Sequence, residues 1–332
     1  MKNIGYVFRR LFDMDYGAMI RKINMLHKKT GHSRLWLLWD MQRCAIDHGA
    51  GYMDYDLYEM YNVPRENRHT YLTRGRMNAL VRKYNDPTKV HIFDNKAEFN
   101  VRFGAYMNRD WVDVTEENRD QVMAFLRKHS CYIVKPVNGS CGKGVELWHR
   151  EDFPSVEAAF DKVYSMESHV ILEQRIEQHA ALSAVYPDAI NTLRVLTITK
   201  NGVPHVVDTC WRIGNKGKHV DNFYNGGMVV PVDKQTGKVA LPAVDKDKVC
   251  YPVHPCTGNA IEGFRFPDWE KAMDVVKHAA LEVPGVGFVG WDVAFSTEGP
   301  CLVEGNDFPS HGLYQLPAHT PDKIGIMPKF DV

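Results

Sequence analysis

The stretch YIVKPVNGSCGKGVELW, residues 132–148, constrains the fold more than any other part of the chain. Two runs rich in β-branched and aromatic residues flank a glycine-rich segment, so the pattern reads strand, loop, strand. A Walker-type phosphate loop needs G-x-x-x-x-G-K-[ST] between a strand and a helix. With Gly142-Lys143 as the G-K pair, Val137 stands where the first glycine belongs and Gly144 where the hydroxyl belongs. The run that follows is β-like rather than helical. A Rossmann fingerprint fails too, because G-x-G-x-x-G is absent. What remains is a glycine-rich hairpin. Gly139, Gly142 and Gly144 would let the backbone aim its N–H groups at phosphate oxygens, with Ser140 as a hydroxyl donor. Lys135, on the strand before the loop, would reach the same anion. An ordinary glycine turn has the same spacing, so this loop needs a second signal.

That signal lies in FVGWDVAFSTEGPCLVEGND, residues 288–307. Two strand-like runs are joined by S-T-E-G-P, a good hairpin connection. Side chains alternate along a strand, so Glu304 and Asn306 share one face and Asp292 can stand opposite them. Two carboxylates and an amide oxygen make a hard oxygen site suited to Mg²⁺. Glu304 alone could be an exposed edge charge. Asp292 is different, because a carboxylate inside an apolar run needs a metal or a cationic partner.

Residues 1 to about 90 read as helical, with apolar residues three and four apart and Gly31 and Gly49 as helix stops. From about 91 onward short strand candidates mix with helices without regular βαβ alternation, which predicts an α+β fold. The expected division is a helical region 1–90 and a domain 91–332, itself split into 91–173 with the hairpin and 174–332 with the metal site. Lysine plus arginine and aspartate plus glutamate are equal at 41 each, so no global field favours nucleic acid or a membrane. No apolar run reaches bilayer-spanning length and no secretory signal is evident, so a cytoplasmic protein is expected. The seven cysteines include no C-x-x-C and read as reduced thiols. CYPVHPC, with Cys250, His254 and Cys256, lacks the spacing and second pair of a usual zinc site.

The ordered pieces FDNKAEFN, KPVNGSCGKG, VILEQRI and LVEGN together resemble the ATP-grasp superfamily over roughly residues 91–310. YPDAINTLRVLTI and HVDNFYNGGMVVPVD, followed by K-Q-T-G, look like its sugar-transfer-associated, alpha-L-glutamate-ligase-like branch. The resemblance implies two α+β lobes clamping ATP beneath the hairpin, after a helical N-terminal region. It implies that Lys96 and Lys135 hold the α- and β-phosphates. The loop with Gly139, Ser140, Gly142 and Gly144 would cover the β- and γ-phosphates, with Lys143 either assisting or solvated. Glu173, Gln174 and Ile176 would lie at the hinge, where backbone groups read the adenine edge. Asp292, Glu304 and Asn306 would coordinate one or two Mg²⁺, and Arg194 and Arg212 would act in catalysis by stabilising charge on the γ-phosphate and acyl phosphate. Asn191, Asn222, Ser310 and His311 are the candidate acceptor contacts. The implied activity is an ATP-dependent ligase joining a small-molecule or glycan-linked carboxylate, such as a sugar acid, to an amine. An ATP-grasp kinase and a non-catalytic nucleotide-binding subunit are the alternatives.

Overall fold

The computed structural model describes residues 15–139 and 143–332. By its internal packing the chain divides into two units, Met1–Lys83 with Ser310–Val332, and Tyr84–Pro309.

The first unit is helical. Helix Tyr16–Thr30 starts where the Asp15 carboxylate accepts from Ala18 N, and ends at Gly31 with φ 76°. Helix Arg34–His48 starts at Ser33, whose hydroxyl accepts from Trp36 N, and ends at Gly49 with φ 66°. Both stops sit where the sequence predicts them, because a left-handed terminal residue is cheap only for glycine. Ile23, Leu26, Leu37, Met41 and Cys44 pack inward with Tyr55, Tyr58 and Tyr71. Inside this core the Arg68 guanidinium donates to both oxygens of Asp40, at 2.8 and 2.9 Å, and Tyr55 OH donates to the same carboxylate at 2.7 Å. The C-terminal segment closes the unit. Gln315 Oε1 accepts from Leu72 N and Ile326 N at 3.0 and 3.2 Å, and Gln315 Nε2 donates to Leu72 O at 2.7 Å.

The second unit holds two antiparallel sheets. The first contains β1 (Trp111–Asp113), β2 (Cys131–Pro136), β3 (Glu146–His149) and β4 (Val170–Gln174), in the order β1-β4-β2-β3. Tyr132, Val134, Trp148, Val170 and Leu172 face helices Arg119–Lys128 and Val156–Tyr164, whose Val122, Phe125, Leu126, Phe160 and Val163 complete that core. The two-residue period therefore sends Lys135 and Glu173 to the opposite face.

The second sheet contains β5 (Leu193–Lys200), β6 (Val203–Ile213), β7 (Met228–Pro231), β8 (Ala243–Asp245), β9 (Cys250–Tyr251), β10 (Phe288–Ser296) and β11 (Gly299–Asn306). Its order is β11-β10-β5-β6-β7-β8-β9. Leu193, Val195, Trp211, Ile213, Val289, Trp291 and Val293 fill one core with helix Trp269–Ala279. The intervening Arg194, Arg212 and Asp292 consequently share the other face. The strands most evident in the sequence are the long ones; β1, β8 and β9, two or three residues each, are too short for periodicity to reveal. Among the described residues no helix is long and apolar enough to cross a membrane.

Candidate active site

The first cluster is built around Glu173, which is 3% exposed. Lys135 Nζ donates to Glu173 Oε2 at 2.6 Å, Arg109 Nε donates to the same oxygen at 3.0 Å, and Asn100 Nδ2 donates to Oε1 at 2.9 Å. Burial alone would keep this carboxyl neutral, but the Arg109 and Lys135 charges outweigh it and hold its pKa well below the usual carboxylate range. Lys96 opens the helix Lys96–Phe103; its backbone N–H donates to Val137 O at 3.0 Å and its ammonium to Gly139 O at 2.8 Å. It is thereby fastened to the strand and loop that carry the hairpin. Burial lowers the Lys96 pKa, Glu304 and Glu173 oppose that fall, and Lys135 adds to it. Lys96, Lys135, Glu173 and Glu304 therefore share one electrostatic environment.

Gly139 and Gly144 have φ of 131° and 75°, as a glycine hairpin requires. Lys143 is exposed. Ser140 and Gly142 lie outside the described residues. Gln174 closes β4, with its N–H donating to Asp110 O at 2.9 Å and its Oε1 accepting from Asp110 N at 3.1 Å. Ile176 follows, half-buried.

The second cluster occupies the polar face of the seven-stranded sheet. Register places Asp292 directly opposite Arg194 on β5 and opposite Glu304 on β11, with Gly290 opposite Asn306. Arg194 forks onto Asp292, its Nε on Oδ1 and its Nη2 on Oδ2 at 3.0 Å. Arg212 Nη1 donates to Asp292 Oδ2 at 2.7 Å and its Nη2 to Asp221 Oδ1 at 2.6 Å. Asp221 also accepts from Thr192 N and Oγ1 at 2.9 and 2.5 Å. Burial disfavours the Asp292 charge, but Arg194 and Arg212 override it and depress its pKa strongly. Glu304 moves the other way, raised by burial and by the adjacent Asp292. Its side chain is exposed, so water on the open side tempers that rise.

The expected metal donors are thus adjacent but unequal. Both Asp292 oxygens already accept from guanidiniums, whereas burial and the adjacent Asp292 disfavour the charge on Glu304. Asn306 Nδ2 lies 3.4 Å from Glu304 Oε1 and donates to Gly290 O at 3.2 Å. A hard cation at Glu304 and Asn306 fits this donor set, with Asp292 behind them. Among the described residues no three His, Cys, Asp or Glu side chains cluster as a metal centre.

The remaining candidates make structural contacts of their own. Asn191 is fully buried; its Nδ2 donates to Tyr186 O at 2.7 Å and its Oδ1 accepts from Gly214 N at 2.9 Å, so it pins two loops. The Asn222 side-chain Oδ1 accepts from Tyr224 N and Asn225 N at 3.0 and 3.2 Å, capping a short turn. Ser310 and His311 belong to the helical unit, where His311 Nε2 lies 2.8 Å from Asp54 Oδ1. In CYPVHPC, His254 Nε2 faces Gly214 O at 2.9 Å while its Nδ1 accepts from Cys256 N at 3.2 Å, so both ring nitrogens serve the backbone.

Sequence reasoning missed Arg109, Asn100 and Asp221. Asn100 had a signal, four residues after Lys96 and hence on the same helical face. Arg109 had none. Its guanidinium, 2% exposed, holds Glu173 on the first sheet and donates to Leu302 O and Val303 O on the second at 2.5 and 3.4 Å. Those carbonyls lie where the β10–β11 register shifts, after Asp292.

The model of the sugar-transfer associated ATP-grasp family matches residues 75–321. No curated protein matches the chain significantly. Similar solved structures include D-alanyl-alanine synthetase A from Vibrio cholerae, 17% identical, covering 72% of this chain and 58% of that one, with a TM-score of 0.39. The ADP complex of N5-carboxyaminoimidazole synthetase from Staphylococcus aureus is 10% identical, with 74% and 55% covered and a TM-score of 0.42. The ATP-grasp ligase PsnB, with minimal precursor, Mg and ADP, is 12% identical, with 75% and 62% covered and a TM-score of 0.40. The chain spans less than two thirds of the length of each, and at these TM-scores they carry no argument about its chemistry. The family match covers well over half of the sequence: the chain belongs to the sugar-transfer associated ATP-grasp family.

Proposed function

We propose that this chain is an ATP-dependent carboxylate–amine ligase that forms an amide through an acyl phosphate, joining an amino acid or other amine to a sugar acid or glycan precursor. One observation carries the reading. A single unit combines two lysines beside a glycine hairpin with an arginine–carboxylate group in which Glu304 stands directly opposite Asp292.

In this reading Lys96 and Lys135 bind the α- and β-phosphates, and the ion pair with Glu173 aims the Lys135 ammonium. The backbone at Gln174 and Ile176 receives the adenine edge. Glu304 and Asn306, with Asp292 behind them, would hold Mg²⁺, which supplies charge neutralisation on the transferring phosphoryl group. A substrate carboxylate oxygen attacks the γ-phosphorus, the bond to the bridging oxygen breaks, and ADP leaves. The amine nitrogen then attacks the acyl carbon, phosphate departs, and the nitrogen gives its proton to water. Arg194 and Arg212, already aligned by Asp292, place positive charge along that path; the work is positioning and electrostatics rather than covalent catalysis.

The test uses hydroxylamine in place of the amine, with candidate sugar acids and ATP. ADP release with formation of a hydroxamate supports the ligase. A stable phosphorylated product without free phosphate would assign the chain to hydroxyl phosphorylation instead. Absence of nucleotide binding would remove both readings.

A further inference from the structure

The helical unit presents an apolar face that its own core leaves uncovered. On helix Arg34–His48, Leu35, Trp39 and Ile46 are 81%, 44% and 54% exposed. Together with Gln42 their spacings of four, three and four residues place them in one stripe along the helix. The opposite side carries the buried Leu37, Met41 and Cys44. Two guanidiniums lie over the exposed indole: Arg65 Cζ is 5.0 Å and Arg43 Cζ 5.8 Å from the Trp39 ring centroid.

Charge separates in the same way. The unit formed by Met1–Lys83 and Ser310–Val332 contains 17 lysines and arginines against 10 aspartates and glutamates, within a chain whose totals are equal.

We propose that this face docks onto the surface of an anionic phospholipid bilayer. An indole with aliphatic neighbours seats at headgroup depth, and Arg65 at its edge pairs with lipid phosphate, beside Arg43, whose Nε already donates to Asp47 at 3.1 Å. The positive excess complements an anionic leaflet, whose attraction accumulates with each basic residue near the surface. The same excess opposes a second copy of this chain as occupant, because self-association would bring two positive units together. The proposal is independent of the amide-forming reading.

Vesicle co-sedimentation of the full chain tests it, comparing pure phosphatidylcholine with phosphatidylcholine containing about one third phosphatidylglycerol. The expected result is binding to the anionic vesicles, weak binding to the neutral ones, and loss of binding as salt rises. Leu35→Glu with Trp39→Glu lowers partitioning about tenfold while nucleotide binding is unchanged. Trp39→Phe, which keeps an aromatic body, retains most of it. Equal binding to both vesicle types overturns the proposal. So does undiminished binding by the double variant, which would place the contact elsewhere in the chain. A concentration-dependent dimer abolished by Leu35→Glu, without vesicle binding, would make the occupant a second copy.

Discussion

Among single residues, Arg109 serves acceptors on two sheets at once through its planar fork of five donors. Arg109→Ala leaves Glu173 with one charged partner and strips the carbonyls of Leu302 and Val303 of theirs. A loss of roughly 3 kcal/mol is expected, read from urea unfolding. Arg109→Lys should recover little, since one ammonium cannot span both acceptor sets. The titration signs differ within the site. Glu173 and Asp292 are depressed, so their contribution to stability is present above the unfolded carboxylate range, about pH 4, and is lost as pH falls through and below it. Glu304 is raised, so the folded protein gains from its protonated form, and that gain disappears as pH rises through its folded pKa. With Glu304 as the proposed magnesium ligand, affinity for the ion should increase with pH through the Glu304 titration, and binding should release a proton. Calorimetry in buffers of different ionisation enthalpy checks this, and Glu304→Gln should abolish the linkage.

At the scale of elements, β-strand alternation accounts for most of what the sequence revealed. The expectation that Glu304 and Asn306 share a face with Asp292 opposite is met by the β10–β11 register. The register shift after Asp292 was not legible, because a bulge depends on where the partner strand's hydrogen bonds fall. The hairpin makes its own prediction. Gly144 has φ 75°, and a Cβ there would lie 2.9 Å from Pro136 Cγ. Gly144→Ala should strain the loop by about 1 kcal/mol and raise the KM for ATP with less effect on kcat. An unchanged KM would detach the hairpin from nucleotide binding.

At the scale of the whole molecule, residues 310–332 complete the helical unit rather than extending the sheets. Gln315 alone makes three hydrogen bonds, reaching Leu72 and Ile326, and His311 reaches Asp54. Ending the chain after Pro309 should therefore expose Leu72 and Tyr71 and collapse amide protection across residues 15–83 in hydrogen exchange. Protection in the Tyr84–Pro309 unit, whose cores lie within it, should persist.

The local patterns are legible in the order of residues alone. That order placed helix stops at Gly31 and Gly49, a strand-loop-strand around Gly139 and Gly144, the carboxylate hairpin at 292–306, and the ordered lysines that resemble this family. These follow from backbone sterics and side-chain period, which neighbours in the chain specify. Tertiary structure decided the rest. It gave Glu173 the side-chain partners Arg109 and Asn100, satisfied Asp292 with two arginines, and set Glu304 directly opposite Asp292. It also divided a neutral chain so that one unit is basic. Ion pairing and burial depend on distances between residues far apart in the chain, 98 positions for Arg194 and Asp292, and no local pattern encodes them.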